Sequence, residues 1–207
     1  MTHPAIQLFY TSYERMLSLG SRIAGRHFTP GELTKQIRRQ FPVTDFVFNT
    51  NKDYAVDPDM VIASGLYDCY NEAEMLPSIE ITLSYHPDQK FYFVDILDWS
   101  KLSFDIAECI GHETVHQYQH HNRKLTGATT DTWYNNEREY LSDSDEIDAY
   151  AFSIAIESRV FNKPVTETTV YGDYQNLFDS TDEILLELTK RISYYQEQLE
   201  LLDEQNY

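Results

Sequence analysis

The first forty residues alternate apolar and polar positions at helical spacing. Apolar side chains recur in steps of three and four between residues 4 and 24, which predicts an amphipathic helix entered through Pro4. A second, shorter helix is predicted to begin after Pro30 and to end near Phe41, because Pro42 cannot continue it. The chain is therefore expected to begin with two helices.

Beyond residue 43 the pattern changes to the alternation that is typical of strands. β-Branched and aromatic residues are concentrated in residues 46–48, 61–70 and 79–85. The last of these segments alternates cleanly, as a half-buried strand should. A turn signal at residues 86–90 follows it, so residues 91–97 are predicted to return as the second strand of a hairpin. The middle of the chain is thus predicted to form a small antiparallel or mixed sheet.

Helical periodicity returns in the second half of the chain. One helix is predicted from an N-cap at Ser103 to about His121. Another is predicted from a cap at Ser144 or Asp145 to about Val160. The polar segments on either side of this second helix are predicted to be loops.

A capping-box pattern at residues 180–183 opens the last predicted helix. Its apolar residues form a heptad-like seam at Leu185, Leu188, Ile192, Tyr195, Leu199 and Leu202. The seam is too short for a stable coiled coil, so packing on the chain's own core is favoured. A monomer is expected, or a weak homodimer through this C-terminal helix.

Helices that are segregated from a small sheet indicate an α+β fold. No shift in composition and no linker marks a second domain, so a single domain is predicted over residues 1–207. In that domain a core of about residues 43–160 would be flanked by helices within residues 4–41 and 180–203.

Charge and composition indicate which partners and which compartment the protein is expected to have. The 207 residues include 34 Asp and Glu against 16 Lys and Arg, a formal net charge of −18. Such a surface repels phosphate backbones and anionic lipids, so no nucleic-acid or membrane partner is expected. The sequence shows no secretory signal pattern and no membrane-spanning apolar run. Two cysteines, Cys69 and Cys109, do not make a disulfide framework, and a cytoplasmic protein is predicted.

The segment from Ile110 to Gln117 contains the pattern His-Glu-x-x-His inside a predicted helix. Residues four apart lie on the same face of a helix, so His112 and His116 can present two imidazole nitrogens to one metal ion. Glu113 lies beside that face, where it can accept a proton from water as a general base. The pattern predicts a catalytic zinc site.

A third protein ligand is predicted on the next helix. Glu146 lies thirty residues after His116 and falls in the first turn of that helix. A carboxylate there would complete a site whose fourth position is left to water. Asp145 and Asp148 are alternatives, either as the ligand or as partners that orient an imidazole N–H.

The motif at residues 112–116, followed by Glu146-x-x-Ala149, resembles the gluzincin pattern of zincin-like metallopeptidases. The strings HETVHQYQ and YLSDSDEIDAYA are similar to small predicted metallopeptidases of tailed bacteriophages. The resemblance covers about residues 78–156. If the chain is phage-encoded, the cytoplasm in which it works is that of the host cell.

The resemblance implies a minimal zincin core, in which a small sheet accompanies a helix with the two histidines and a second helix with Glu146. It also implies that residues 79–85 or 91–97 form an edge strand that holds an extended substrate. In one respect the sequence departs from the pattern. Larger gluzincins often carry an Asp four residues after the Glu ligand to orient a histidine, and here that residue is Tyr150.

These residues predict zinc-dependent hydrolysis of peptide bonds in a protein or peptide substrate, with Zn²⁺ as cofactor and Glu113 as general base. Tyr140, six residues before Glu146, is the first candidate to stabilise the oxyanion, and Tyr134 and His120 are others. Two alternatives are a catalytically inactive zincin-fold binding protein and an acidic decoy that mimics DNA. For the decoy, the His-Glu-x-x-His pattern would be accidental.

Overall fold

The computed structural model describes residues 2–41, 46–68, 78–124 and 134–205. These residues form helices and two small β-sheets, which confirms the α+β class. None of the helices so described is both long and apolar enough to cross a membrane. Cys69 and the end of the strand predicted at 61–70 lie outside the described residues.

Contacts between residues group the chain into two compact units, Gln7–Glu113 and Met1–Ile6 with Thr114–Tyr207. The prediction of one domain over residues 1–207 stays a prediction. In chain order, the elements up to residue 122 are α1 Pro4–Ile23, β1 His27–Phe28, α2 Pro30–Arg38, β2 Phe46–Lys52, β3 Val61–Asp68, β4 Ser78–Tyr85, β5 Tyr92–Phe93 and α3 Ile96–Asn122.

The two N-terminal helices form where the sequence predicts them. Helix α2 begins with a capping box, in which the Thr29 hydroxyl accepts a hydrogen bond from the Glu32 N–H at 3.3 Å. The Glu32 carboxylate in turn accepts one from the Thr29 N–H at 3.0 Å. This reciprocal pair satisfies backbone donors that the helix itself cannot. The short strand β1, which lies between the two helices, was not predicted.

Strand β4 is the centre of a three-stranded sheet with the order β2-β4-β3. Strand β2 runs parallel to it and β3 antiparallel to it, so the predicted small sheet is mixed. The prediction that residues 79–85 form an edge strand is wrong, because β4 is hydrogen-bonded on both sides. Its alternate residues Ile79, Ile81 and Leu83 are buried, which explains the clean apolar alternation in the sequence.

The predicted hairpin between residues 79–85 and 91–97 does not form. Strand β5 covers only Tyr92–Phe93 and pairs antiparallel with the distant strand β1. Helix α3 begins at Ile96, so the rest of the predicted return strand is already helical or leads into the helix. The strand predicted over residues 91–97 is therefore confirmed only at Tyr92–Phe93, and these two residues belong to a separate two-stranded sheet.

Helix α3 begins seven residues before the predicted N-cap at Ser103. Asp95 accounts for the earlier start, because its carboxylate accepts a hydrogen bond from the Leu97 N–H at 2.8 Å. Its carbonyl accepts another from the Trp99 N–H at 2.9 Å. Ser103 lies inside the helix, where its hydroxyl donates to the Trp99 carbonyl at 2.6 Å. A serine can bond in this way to the preceding turn, so it need not mark a helix start.

One buried cluster holds the unit Gln7–Glu113 together. It combines side chains of α1, α2, the three-stranded sheet and the first part of α3, among them Met16, Leu33, Ile37, Ile81, Trp99 and Ile106. The Trp99 indole N–H donates to the Met16 carbonyl at 2.7 Å. A Cβ atom at Gly20 would overlap the indole ring, so glycine permits this close approach of α1 and α3.

In residues 134–205 the regular elements are all helices, joined by short turns. They are α4 Glu137–Leu141, α5 Ser144–Val160, a 3₁₀ turn at Val165–Glu167, α6 Thr169–Leu177 and α7 Glu183–Gln205. Helices α4 and α6 occupy segments that were predicted to be loops. The cap of α5 is Asp143, not Ser144 or Asp145, since its carboxylate accepts a hydrogen bond from the Asp145 N–H at 2.7 Å.

The apolar seam of α7 is buried within its own unit. Leu188, Ile192 and Tyr195 are at most 2% exposed. The Tyr195 ring meets that of Phe152 on α5 edge-on, with centroids 5.6 Å apart. The seam therefore packs on the chain's own helices, as its short length favoured. The association state of the whole chain stays a prediction.

Candidate metal centre

Helices α3 and α5 bring three metal-ligating side chains together. His112 and His116 lie one turn apart on α3, and Glu146 lies in the first turn of α5. All three are buried, with exposures of 8%, 5% and 8%. One nitrogen of each histidine and one carboxylate oxygen lie within 4.8 Å of one another. This is the ligand set that the sequence predicted, and a buried group of this kind can hold a metal ion.

The chemistry of the donors fits a divalent cation. Two imidazole nitrogens and a carboxylate oxygen are the ligands of many catalytic zinc sites. The Glu146 carboxylate lies 3.6 Å from His116 Nε2, with both side chains largely shielded from water. A positive charge beside a buried carboxylate offsets the cost of removing that carboxylate from water. A metal ion held by the three side chains would supply that charge.

Glu113 is held close to strand β3. Its side chain is 7% exposed. A Cβ atom at Gly65 would lie 2.8 Å from both Cγ and Oε1 of Glu113, which is closer than non-bonded atoms can approach. Gly65 thus leaves the space that the Glu113 side chain occupies. The general base predicted from the sequence therefore lies against the backbone of a strand, next in sequence to a metal-ligating histidine.

Asp145 and Asp148, the alternative ligands, have other partners. The Asp145 carboxylate forms a salt bridge with the Arg123 guanidinium. The Asp148 carboxylate accepts a hydrogen bond from the Gln119 side-chain amide at 3.2 Å and lies 3.6 Å from an Arg191 nitrogen. These contacts leave Glu146 as the acid that accompanies the two histidines.

Tyr140 is connected to the candidate ligand group by a hydrogen bond with Glu146. Its hydroxyl is 3.1 Å from the hydroxyl of Tyr150, and Tyr134 meets its ring edge-on at 5.2 Å. Burial, followed by the proximity of Tyr150 and Glu146 and hydrogen bonds to both, raises the pKa of Tyr140 far above its ordinary value. The phenol is therefore protonated at neutral pH and can donate a hydrogen bond. His120, the other candidate donor, is buried on α3 at 6% exposure.

Cys109 lies on helix α3 as a free thiol. Burial raises the pKa of its thiol well above the usual value, and Glu108 and Glu113 raise it further. The thiol packs as a small, partly buried side chain against the apolar cluster of its unit.

Two residues of this centre were not identified from the sequence. Gly65 lies in a predicted strand, and nothing in the local pattern pairs it with Glu113. The side-chain carbonyl oxygen Oε1 of Gln119 accepts a hydrogen bond from His116 Nδ1 at 3.0 Å. A signal for Gln119 did exist, because residues three apart on a helix are neighbours and position 119 follows His116 by three.

Comparison with known proteins gives no further guide to this centre. No protein-family model, no curated protein and no solved structure matches the chain. What can be said of its function therefore rests on the residues and their geometry.

Proposed function

We propose that this protein is a zinc-dependent peptidase of the zincin type, which hydrolyses peptide bonds in a protein or peptide substrate. The observation that carries the proposal is the buried group of His112, His116 and Glu146, with Glu113 next to the first histidine on the same helix. A purely structural metal site has no use for such a glutamate. A catalytic site needs a base within reach of the attacking water.

The residues of the chain divide the chemistry among them. His112, His116 and Glu146 would hold the ion, which would supply a Lewis acid that polarises a carbonyl group and makes water more acidic. Glu113 accepts the proton of the attacking water and delivers it to the leaving amine. Tyr140 has one hydrogen to donate, and in the resting site Glu146 accepts it. To act as the oxyanion donor, the Tyr140 hydroxyl turns from Glu146 to the oxygen of the substrate carbonyl.

The pairing of strand β3 supports the proposal that the substrate is a peptide. Among the described residues β3 pairs with β4 alone, so its other side has backbone groups to offer to an extended chain. Gly65 of this strand lies against Glu113. A peptide added along β3 would therefore run past the general base. This edge takes the place of the two segments that the sequence had suggested for substrate binding.

The experiment compares zinc-loaded wild type with Glu113→Gln against a diverse peptide library, with cleavage read by mass spectrometry. Glu108→Gln, the same change elsewhere on α3, is the matched control. We expect the wild type and the control to cleave, while Glu113→Gln keeps its zinc and loses about 10²- to 10⁴-fold in rate.

Two results would contradict the proposal. Equal cleavage by Glu113→Gln and wild type would show that Glu113 is not the base. A wild type that holds stoichiometric zinc but cleaves nothing would favour the alternative of a metal-containing binding protein without catalysis.

A further inference from the structure

His116 is connected to Asp148 through the side-chain amide of Gln119. His116 Nδ1 lies 3.0 Å from Gln119 Oε1. The Gln119 amide nitrogen donates to the Asp145 backbone carbonyl at 3.1 Å and to the Asp148 carboxylate at 3.2 Å. The three contacts link helix α3 with the first turns of α5.

These contacts fix the orientation of the amide. Both neighbours of the Gln119 nitrogen, a carbonyl and a carboxylate, can only accept hydrogen bonds. A flipped amide would turn its carbonyl oxygen towards these two acceptors and lose both bonds. The Gln119 oxygen therefore faces His116, and His116 Nδ1 must carry the hydrogen of that contact. The other ring nitrogen, Nε2, is the one that faces Glu146, at 3.6 Å.

Asp148 is itself held in place by helix α7. Its second oxygen lies 3.6 Å from an Arg191 nitrogen and 3.4 Å from the Tyr195 hydroxyl, which donates to it. Arg191 is fixed in turn, since it donates to the Ser144 carbonyl at 2.9 Å at the start of α5. The carboxylate that orients the Gln119 amide is thus positioned from two helices.

We propose that Gln119 is a positioning residue, which fixes the Nδ1–H tautomer of His116 through an amide that Asp148 orients, so that Nε2 is presented to the metal ion. The inference rests on the proposed function only in requiring that the His-His-Glu group binds metal. The orienting carboxylate is that of Asp148, which acts through Gln119.

The test measures zinc affinity by competition with a chromophoric chelator. Gln119→Met keeps the length of the side chain and removes its polar atoms, and we expect it to bind zinc about 10- to 100-fold more weakly. Gln117→Met, two residues earlier on the same helix, is the matched control and should bind as tightly as wild type.

Variants that exchange the hydrogen-bond donor and acceptor between residues 119 and 148 distinguish the positioning of His116 from a role of Gln119 in packing alone. Gln119→Glu alone would place two carboxylates against each other and should weaken zinc binding. The double variant Gln119→Glu/Asp148→Asn restores an acceptor for His116 and a donor at position 148, while the Asp145 carbonyl still faces a carboxylate oxygen. Its zinc affinity should therefore recover in part, to a value between those of Gln119→Glu and wild type. In zinc-loaded wild type, nitrogen-resolved NMR should show His116 protonated at Nδ1.

The outcomes distinguish this inference from the proposed function. Zinc binding by wild type and Gln119→Met with equal affinity would overturn the role of Gln119 and leave the metal site intact. A His116 ring protonated at Nε2 in the zinc form would overturn it as well. A wild type that binds no zinc would overturn the proposed function and this inference together.

Discussion

Gly65 and Glu113 fit together so closely that a Cβ atom at position 65 would lie 2.8 Å from the Glu113 carboxylate oxygen Oε1. The substitution Gly65→Ala should therefore displace the Glu113 side chain. Since Glu113 is not one of the three proposed metal ligands, we expect zinc content to be unchanged. If Glu113 is the general base as proposed, the rate of peptide cleavage should fall by about 10²-fold, the usual contribution of a positioned base.

Gly31→Ala is the control for this prediction. Gly31 has no atom within 4 Å of where its Cβ would lie, so the same substitution should leave both zinc content and cleavage unchanged. Wild-type activity in Gly65→Ala, with the fold intact by circular dichroism, would show that the contact with β3 does not position Glu113.

Tyr140→Phe tests the oxyanion donor. Loss of the hydroxyl should lower kcat by about 10²- to 10³-fold while zinc is retained, because one hydrogen bond that strengthens in the transition state is removed. Tyr92→Phe, at a buried tyrosine of strand β5, is the control and should keep its activity. Activity of Tyr140→Phe within a few-fold of wild type would remove Tyr140 from the mechanism.

Buried tyrosines should make the fold sensitive to alkali. Burial, followed by Asp98 and Asp95, raises the pKa of Tyr92 to about 12 from an ordinary value of 10.0, and burial also raises the pKa of Tyr174 and of Tyr195. Above the ordinary value the unfolded chain releases protons that the folded chain retains. These tyrosines should therefore leave the free energy of unfolding unchanged below pH 10.0 and lower it between that pH and about 12.

Urea unfolding at a series of pH values measures this dependence, and Tyr92→Phe should lose part of it. A free energy of unfolding that does not fall above the ordinary pKa of tyrosine would contradict the prediction.

The helices were largely predictable because their signals are local. Pro4 and Pro30 open α1 and α2 as predicted, and the apolar periodicity of α7 matches its buried seam. The sheet was less predictable. Strand β5 pairs with β1, and β2 lies parallel to β4, so both pairings join segments that are distant in the sequence. Long-range pairing of this kind leaves no local pattern, whereas residues 86–90 gave a local turn signal that suggested a hairpin.

In the candidate centre too, local features were predictable from the sequence and contacts between distant segments were not. The pairing of His112 with His116 could be predicted because helical geometry alone places residues four apart on one face. Glu146 was placed by its position in a helix start, and the structure brings it to the histidines. The contact of Glu113 with Gly65 depends on how α3 packs on the sheet, and the contact of Gln119 with Asp148 on how α3 packs on α5. Neither packing can be read from the sequence of one helix.

The most direct test of the account is the metal content of the purified protein, measured by elemental analysis after zinc reconstitution. Glu146→Ala is compared with Glu183→Ala, which changes an exposed acid in the first turn of another helix, α7. The account predicts about one equivalent of zinc in wild type and in Glu183→Ala, and its loss or weakening in Glu146→Ala. No stoichiometric zinc in the wild type, or equal zinc in Glu146→Ala, would contradict it.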